Sequence, residues 1–121
     1  MPGERGTPMH ELSICGSIAH IVTRHAGGRP VETIHLRIGQ LRQVVPDTLT
    51  YCWSMVSTGT ELDGSALDVE NVRARIRCHS CGTTQEIGDF PILLCPACDG
   101  ADVAVVAGEE FLVTSLDLAE V

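Results

Sequence analysis

Four cysteines in two close pairs are the residues of this chain best suited to holding a metal ion. Cys78 and Cys81 lie in the run C-H-S-C-G, Cys95 and Cys98 lie in C-P-A-C-D-G, and thirteen residues separate Cys81 from Cys95. Two C-x2-C turns can surround one ion tetrahedrally, because each turn directs two thiolates to the same point. Four thiolates leave no open coordination position, so the ion would be structural. The spacing favours zinc and leaves open an iron centre with the same ligands.

Two disulfides are the other explanation of these cysteines. A secreted protein would favour them, but the first residues lack the charged start and apolar run of a secretory signal. A reducing cytosol favours thiolates, so we expect a cytoplasmic metal site. The stretch between the pairs has few large apolar side chains, and segments below about 40 residues rarely fold unaided. Removal of the metal should therefore unfold this lobe first.

Composition limits the classes of partner. The 121 residues suffice for one small domain and a metal lobe. Sixteen acidic residues against eight arginines give a net charge of -8, which opposes binding to phosphate backbones. No apolar run has the length of a membrane span. We therefore expect neither a nucleic-acid nor a membrane partner.

The first half of the chain predicts two helices and a strand. From His10 to Ala26, apolar residues recur every three or four positions, which predicts an amphipathic helix. Val31–Ile38 alternates apolar and polar residues, as in a strand with one buried face. Pro46 suits the first turn of a second helix, which Gly59 would end. The apolar stripe of the first helix comprises Leu12, Cys15, Ile18, Ala19, Val22 and Ala26, and that of the second comprises Leu49, Cys52, Trp53 and Val56.

The second half predicts strands around the metal lobe. One strand begins near Ala66 and runs into Cys78, with a bulge near Glu70 and Asn71 because the alternation changes parity there. Asp102–Val106 and Phe111–Leu118 are further extended segments. The predicted fold class is α+β, a small mixed sheet with two helices on one face and an inserted zinc-ribbon or rubredoxin-like lobe. The predicted domains are a flexible leader at 1–8, an α+β domain at 9–77 and 101–121, and the zinc lobe at 78–100.

The pattern of side chains gives no support for catalysis. The chain contains no glycine-rich phosphate loop, no nucleophile elbow and no Ser, His and acid arrangement of recognisable spacing. The remaining candidate is the run Met9, His10 and Glu11 at the start of the first helix. Considered alone, such a run is usually a solvated helix cap, in which Glu11 favours the positive end of the helix dipole.

Several separated motifs resemble one known family. M-H-E-L-S-I-C is followed by an amphipathic helix, I-G-Q-L, T-G-T-E-L-D-G-S-A-L, the two cysteine pairs and G-E-E-F-L-V-T-S-L. From Met9 to about Leu118 the chain is similar to the HypA/HybF family of hydrogenase nickel-incorporation proteins. The resemblance implies a nickel metallochaperone without enzymatic activity that delivers Ni(II) to [NiFe] hydrogenase. It also implies a GTPase partner, the hydrogenase large subunit precursor as recipient and, in some members, urease assembly proteins.

The resemblance assigns nickel to Met9, His10 and Glu11 and zinc to the four cysteines. A histidine beside a free terminal amine can offer the amine, the imidazole and intervening amides to one plane, which favours Ni(II) over zinc. In this chain Met9 follows eight residues, and its amine would then be a much poorer amide donor. We expect either that translation starts at Met9 or that His10 uses a different ligand set.

Other residues keep a structural explanation beside a functional one. Cys15 and Cys52 lie on apolar helix faces and are expected in the core. His20, His25 and His35 lie on polar faces without a partner at ligand spacing. His79 could exchange into the zinc shell, although a solvated loop histidine is the simpler reading. Asp47 could reach the nickel or serve only its helix start.

Three arginines form a stripe on the strand that enters the metal lobe. Arg73, Arg75 and Arg77 share one face, where they could dock an acidic partner or pair with acidic side chains of this chain. We expect the second. The arginines and the cysteine spacing also suggest the competing function, a zinc-ribbon module that binds nucleic acid or a transcription complex. The net charge and the scarcity of aromatic residues disfavour it.

Overall fold

The structure is a computed structural model that describes residues 8–89 and 92–119, with side chains from His10 onward. Its elements are α1 (Pro8–Ala26), β1 (Val31–Gly39), a 3-10 helix (Gln40–Arg42), α2 (Pro46–Ser57), β2 (Ala66–Val72), β3 (Arg75–Cys78), β4 (Thr84–Glu86), β5 (Val103–Ala107) and β6 (Phe111–Leu118). The leader predicted at 1–8 lies outside the described residues except for Pro8, where α1 begins. None of the described helices has the length and apolar character to cross a membrane.

The buried stripe of α1 packs against α2. Cys15, Ile18 and Val22 are completely buried, at the spacing of three or four residues that a helix requires. Leu12, predicted to belong to this stripe, is instead 37% exposed. Gly27 ends α1 with a positive φ of 62°, a conformation that glycine adopts without a clash of Cβ.

The strand β1 is the centre of a three-stranded sheet in the order β2-β1-β6. Its even-numbered residues Ile34, Leu36 and Ile38 are buried, as the alternation predicted. On the opposite face, His35 meets Asp68 and Arg37 meets Glu70, a step of two residues in the same direction on both strands. The strands β1 and β2 are therefore parallel.

On the other side of β1, the strand β6 runs antiparallel. The Gly39 N–H donates to the Glu110 carbonyl at 2.7 Å, and at the other end the Ala119 N–H donates to the Pro30 carbonyl at 2.9 Å. The sheet is therefore mixed. With two helices and a separate small sheet that carries the four cysteines, the α+β fold class is confirmed.

The single strand predicted from Ala66 to Cys78 is wrong. The chain forms two strands, β2 and β3, which belong to different sheets. The change in parity that suggested a bulge marks the point where the chain passes from one sheet to the other. Ala74 and Ile76 are buried in the second unit, not in the core of the first. An irregularity in register does occur, but between Arg75 and Ile76 on the side of β5.

The second sheet has the order β4-β3-β5, and both of its pairings are antiparallel. The chain divides into two compact units, of which the second comprises Ile38–Gln43 and Asn71–Phe111. The first contains the residues up to Arg37, Val44–Glu70 and those from Leu112 onward. The second unit is larger than the lobe predicted at 78–100, because the strands that flank the cysteines belong to it.

Two glycines of the second unit allow a close approach of backbone segments. A Cβ on Gly39 would lie 2.0 Å from the Gly108 carbonyl oxygen, and one on Gly108 would lie 2.6 Å from the Cα of Ala74. The Leu41 N–H donates to the same Gly108 carbonyl at 2.8 Å. No larger residue fits at Gly39 without displacing this backbone.

Candidate functional site

The first cysteine turn lies directly after β3. The Cys78 N–H donates to the Thr83 carbonyl at 2.8 Å, and the Gly82 N–H donates back to the Cys78 carbonyl at 2.9 Å. Within this turn the Cys81 N–H points at the Cys78 sulfur, 3.4 Å away. Gly82 has a positive φ of 77°, so this position suits glycine. The turn thus directs both sulfurs and one amide dipole to the same point.

The second cysteine turn repeats the same pattern of hydrogen bonds. The Cys95 N–H donates to the Gly100 carbonyl at 2.9 Å, and the Asp99 N–H donates to the Cys95 carbonyl at 2.8 Å. Asp99 takes the place of Gly82 and adopts a φ of 61°, which aspartate tolerates better than most residues. A Cβ on Gly100 would lie 3.2 Å from the Cys98 sulfur, so glycine leaves room for the thiolates.

The four sulfurs converge on one point, as predicted. All lie within 4.8 Å of one another, with Cys78 and Cys98 at 3.7 Å and Cys81 and Cys95 at 3.6 Å. Zn–S bonds of about 2.3 Å in a tetrahedron require sulfur separations of about 3.8 Å. A disulfide would require about 2.05 Å, so these pairs are not disulfides. The donor set therefore fits a tetrahedral thiophilic ion such as zinc.

The local electrostatics favour a cation among the sulfurs. Burial raises the pKa of Cys95. Hydrogen bonds from the N–H groups of Ala97 and Cys98 and from the Thr83 hydroxyl outweigh this effect and lower the pKa to about 6. At Cys98 the Gly100 N–H lowers the pKa, yet the neighbouring sulfurs raise it to about 12. A positive ion between the sulfurs would favour the thiolate forms of Cys95 and Cys98.

The second sheet holds the two turns in place. Cys78 is the last residue of β3 and pairs with Val103 at the start of β5. The Cys78 and Cys95 side chains are 1% exposed, whereas Cys81 and Cys98 face solvent. Next to the cluster, the exposed His79 ring has its Nδ1 at 3.0 Å from a carboxylate oxygen of Asp102.

The candidate nickel residues lie in the first turn of α1. The His10 side chain is exposed. Glu11 is completely buried, and its Oε2 accepts a hydrogen bond from the Val45 N–H at 3.1 Å. Its Oε1 is buried without a partner among the described residues. The Glu11 carboxylate thus points into the protein and braces the residue that precedes α2, while His10 points outward.

The two remaining cysteines are core residues, as predicted. Cys15 and Cys52 are completely buried. The Cys15 sulfur lies 3.6 Å from the Leu49 carbonyl, and burial, with charges of neighbouring groups, raises the pKa of Cys15 to about 12. Burial also raises the pKa of Cys52. Both remain thiols at neutral pH.

The residues of one polar cluster were missed. His35 lies between two aspartates from the flanking strands, with Nδ1 at 2.9 Å from Asp68 and Nε2 at 2.9 Å from Asp117. The sequence offered His35 no partner at metal-ligand spacing, and it did not reveal these two aspartates from other strands. Strand alternation placed His35 on a polar face, but it carries no information on which strands become its neighbours in the sheet.

The arginine stripe divides into paired and unpaired members. Arg73 forms ion pairs with Asp89 at 3.0 Å and Glu86 at 3.7 Å, as expected. Arg75 and Arg77 are exposed and have neither an ion pair nor a hydrogen bond to any residue that the structure describes. Asp47 lies in the first turn of α2, which begins at Pro46 as predicted.

A family model for "Hydrogenase/urease nickel incorporation, metallochaperone, hypA" matches residues 9–118. This chain belongs to the HypA family. The hydrogenase maturation factor HypA of Geotalea uraniireducens is 41% identical over 112 residues, which cover 91% of this chain and 99% of the relative. HypA of Streptomyces avermitilis is 36% identical over 112 residues, with 89% and 86% covered.

Solved HypA structures share the fold. The solution structure of a HypA protein superposes with a TM-score of 0.64 at 18% identity, covering 92% of this chain and 97% of that one. The nickel metallochaperone HypA from Helicobacter pylori gives a TM-score of 0.62 at 17% identity, with 89% and 96% covered. The resemblance stated from the motifs is confirmed, and this HypA-family chain is a non-catalytic nickel metallochaperone for hydrogenase maturation with a four-cysteine metal site.

Proposed function

We propose that this protein binds Ni(II) at the segment Met9, His10 and Glu11 and passes it on during maturation of [NiFe] hydrogenase. The recipient is the precursor of the hydrogenase large subunit, and a GTPase of nickel insertion is the partner that controls transfer. Urease assembly proteins are a second possible destination. The site of action is the cytoplasm. The observation that carries the proposal is the family match, which begins at Met9.

The position of the segment supports its use as a nickel site. The first four N–H groups of a helix have no acceptor within the helix, and α1 begins at Pro8. The amides of Met9, His10 and Glu11 are therefore free of the helical hydrogen bonds. An exposed imidazole beside free amides provides nitrogen donors for a planar Ni(II) complex. Ligands in a first turn can leave one at a time, which suits a protein that must release its cargo.

The Glu11 side chain has a different part in this proposal. Because its carboxylate is buried against the Val45 N–H, Glu11 would contribute its backbone amide to nickel. The planar complex then needs the first turn of α1 to open while the Glu11 side chain remains anchored. The buried Glu11 side chain would therefore limit the opening of α1 to its first turn.

In the second unit, we propose structural Zn(II) at Cys78, Cys81, Cys95 and Cys98. The tetrahedral spacing of the sulfurs and the absence of an open position support a resident ion. Elemental analysis of natively made protein distinguishes zinc from iron, and equimolar zinc is expected. Equimolar iron would contradict the assignment.

The nickel site is tested by comparing the full chain with a chain shortened to begin at Met9. The short chain regains a terminal amine, so calorimetric titration should give tighter Ni(II) binding. His10→Ala in the short chain should weaken Ni(II) binding strongly, because it removes a direct ligand. Loss of an outer-shell partner alone lowers metal affinity about 10- to 100-fold, and the effect of His10→Ala should be larger. His20→Ala, also at an exposed position of α1, is the matched control. Equal affinities of the two chain lengths would refute the role of the amine.

A further inference from the structure

The exposed face of the small sheet carries two positive charges that the protein itself does not neutralise. Arg75 and Arg77 project from the same side of β3, since both are exposed while Ile76 and Cys78 are buried. The nearest arginine along the chain, Arg73, is held by Asp89 and Glu86. We name the exposed pair, Arg75 and Arg77, the arginine pair.

The residues around the arginine pair leave it accessible. On the side of β5, Ala104 lies opposite Arg77 and Ala107 opposite Arg75, and alanine side chains are too short to cover a guanidinium. On the side of β4, Thr84 lies opposite Arg77. The short side chains on both neighbouring strands therefore leave the guanidinium groups of Arg75 and Arg77 accessible to a partner.

The one acidic residue opposite the pair is already engaged. Glu86 lies across from Arg75, but its Oε1 forms an ion pair with the Nε of Arg73, 3.7 Å away. In a protein with a net charge of -8, two guanidinium groups without a carboxylate among the described residues are an unusual local excess of positive charge. Such an excess favours a partner that brings its own carboxylates.

We propose that the arginine pair docks an extended acidic segment of a partner protein. Alternate residues of a strand are about 6.6 to 6.8 Å apart, so Arg75 and Arg77 match carboxylates at alternate positions of an extended peptide. Each guanidinium can bind one carboxylate through two parallel hydrogen bonds. Val106 of β5 is 53% exposed and precedes Ala107, the residue opposite Arg75, so it offers an apolar side chain to the same partner.

A nucleic acid suits this face less well. The net charge of -8 repels a polyanion, and base stacking requires aromatic side chains. The residues of β4 and β5 opposite the arginine pair are Thr84, Glu86, Ala104 and Ala107, none of which is aromatic. The proposal is independent of nickel, because Arg75 and Arg77 belong to the second unit and Met9, His10 and Glu11 to the first.

The test uses the full-length, zinc-loaded protein and a fluorescein-labelled peptide of alternating threonine and aspartate, followed by fluorescence anisotropy. We expect binding that weakens from about 0.1 M to about 1 M salt as screening increases. In the double variant Arg75→Gln with Arg77→Gln, the affinity should fall about three- to tenfold, because exposed ion pairs are individually weak. The double variant Arg24→Gln with Arg29→Gln removes the same charge from the first unit and should bind like the wild type.

Three results would overturn the proposal. One is the absence of binding to the wild type, and another is an equal loss of affinity in the two double variants. The third is tighter binding of a single-stranded oligonucleotide than of the acidic peptide through the same two arginines. A control peptide with asparagine in place of aspartate should not bind. Each variant is shown to be folded by equimolar zinc and by an NMR spectrum that is unchanged away from β3.

Discussion

His35 joins three strands through one imidazole ring. Nε2 lies 2.9 Å from Asp117 of β6, and Nδ1 lies 2.9 Å from Asp68 of β2. Both ring nitrogens can donate only when the ring carries a positive charge. The hydrogen bonds to Asp117 and Asp68 accordingly raise the pKa of His35 above its ordinary value of 6.5. Protonated His35 therefore holds the exposed face of the mixed sheet together.

This geometry predicts that the stability of the protein decreases as the pH rises above neutrality. Because the pKa is higher in the folded state, the contribution of His35 is complete below pH 6.5 and is lost as the pH rises through the raised value. Thermal unfolding midpoints measured on both sides of pH 6.5 should fall toward alkaline pH. His35→Gln, which cannot be charged, should flatten this dependence.

His20→Gln is the control for the pH experiment, since His20 is exposed on α1 and has no ion pair with any carboxylate of the described residues. The neighbouring ion pair on the same face, Arg37 with Glu70, is kept in both histidine variants. An identical pH dependence in the wild type and in His35→Gln would show that another group controls it.

At the scale of elements, the start of α2 depends on a residue of α1. The residue before α2, Val45, has no side chain that can cap the helix. The Glu11 carboxylate accepts the Val45 N–H instead, from 34 residues away in sequence. A side chain that caps from another helix fixes the two helix starts relative to each other, within the first unit.

Glu11 variants should measure this bracing. In Glu11→Ala the part-buried Val45 N–H loses its acceptor and the fully buried Glu11 side chain leaves a cavity, so the free energy of unfolding should decrease by about 2 to 4 kcal/mol. Glu11→Gln keeps a carbonyl oxygen for the same N–H and should cost less. Urea denaturation of both variants, with exposed Glu32→Ala as the control, gives the comparison. Equal losses in the Ala and Gln variants would contradict the role of the hydrogen bond.

The elements that could be predicted from sequence are those determined by local pattern. The period of Cys15, Ile18 and Val22 predicted α1, and the spacing of the cysteines predicted their cluster, because both depend on residues a few positions apart. The break between β2 and β3 and the partners of Glu11 and His35 could not be predicted. They depend on which strands and helices become neighbours, and a single sequence carries no direct record of that order.

At the scale of the whole molecule, the two units differ in what stabilises them. The first unit has an apolar core in which the buried residues include Ile18, Ile34, Leu36, Leu49 and Trp53. The second unit exposes several of its larger apolar side chains, namely Ile92, Leu93, Leu94 and Val106. Fewer buried apolar groups leave more of its stability to the ion among the cysteines.

With zinc at the four cysteines, as proposed, its removal should unfold the second unit before the first. Zinc supplies about 10 to 16 kcal/mol to sites of this kind, more than a small unit with a poor core can replace. With a tight chelator, amide hydrogen exchange in β3 and β5 should accelerate many-fold. Trp53, the single tryptophan, is 2% exposed in the first unit, so its fluorescence should stay unchanged. A shift of Trp53 emission in step with zinc loss would mean that the first unit also depends on the ion, and the two units would then unfold as one.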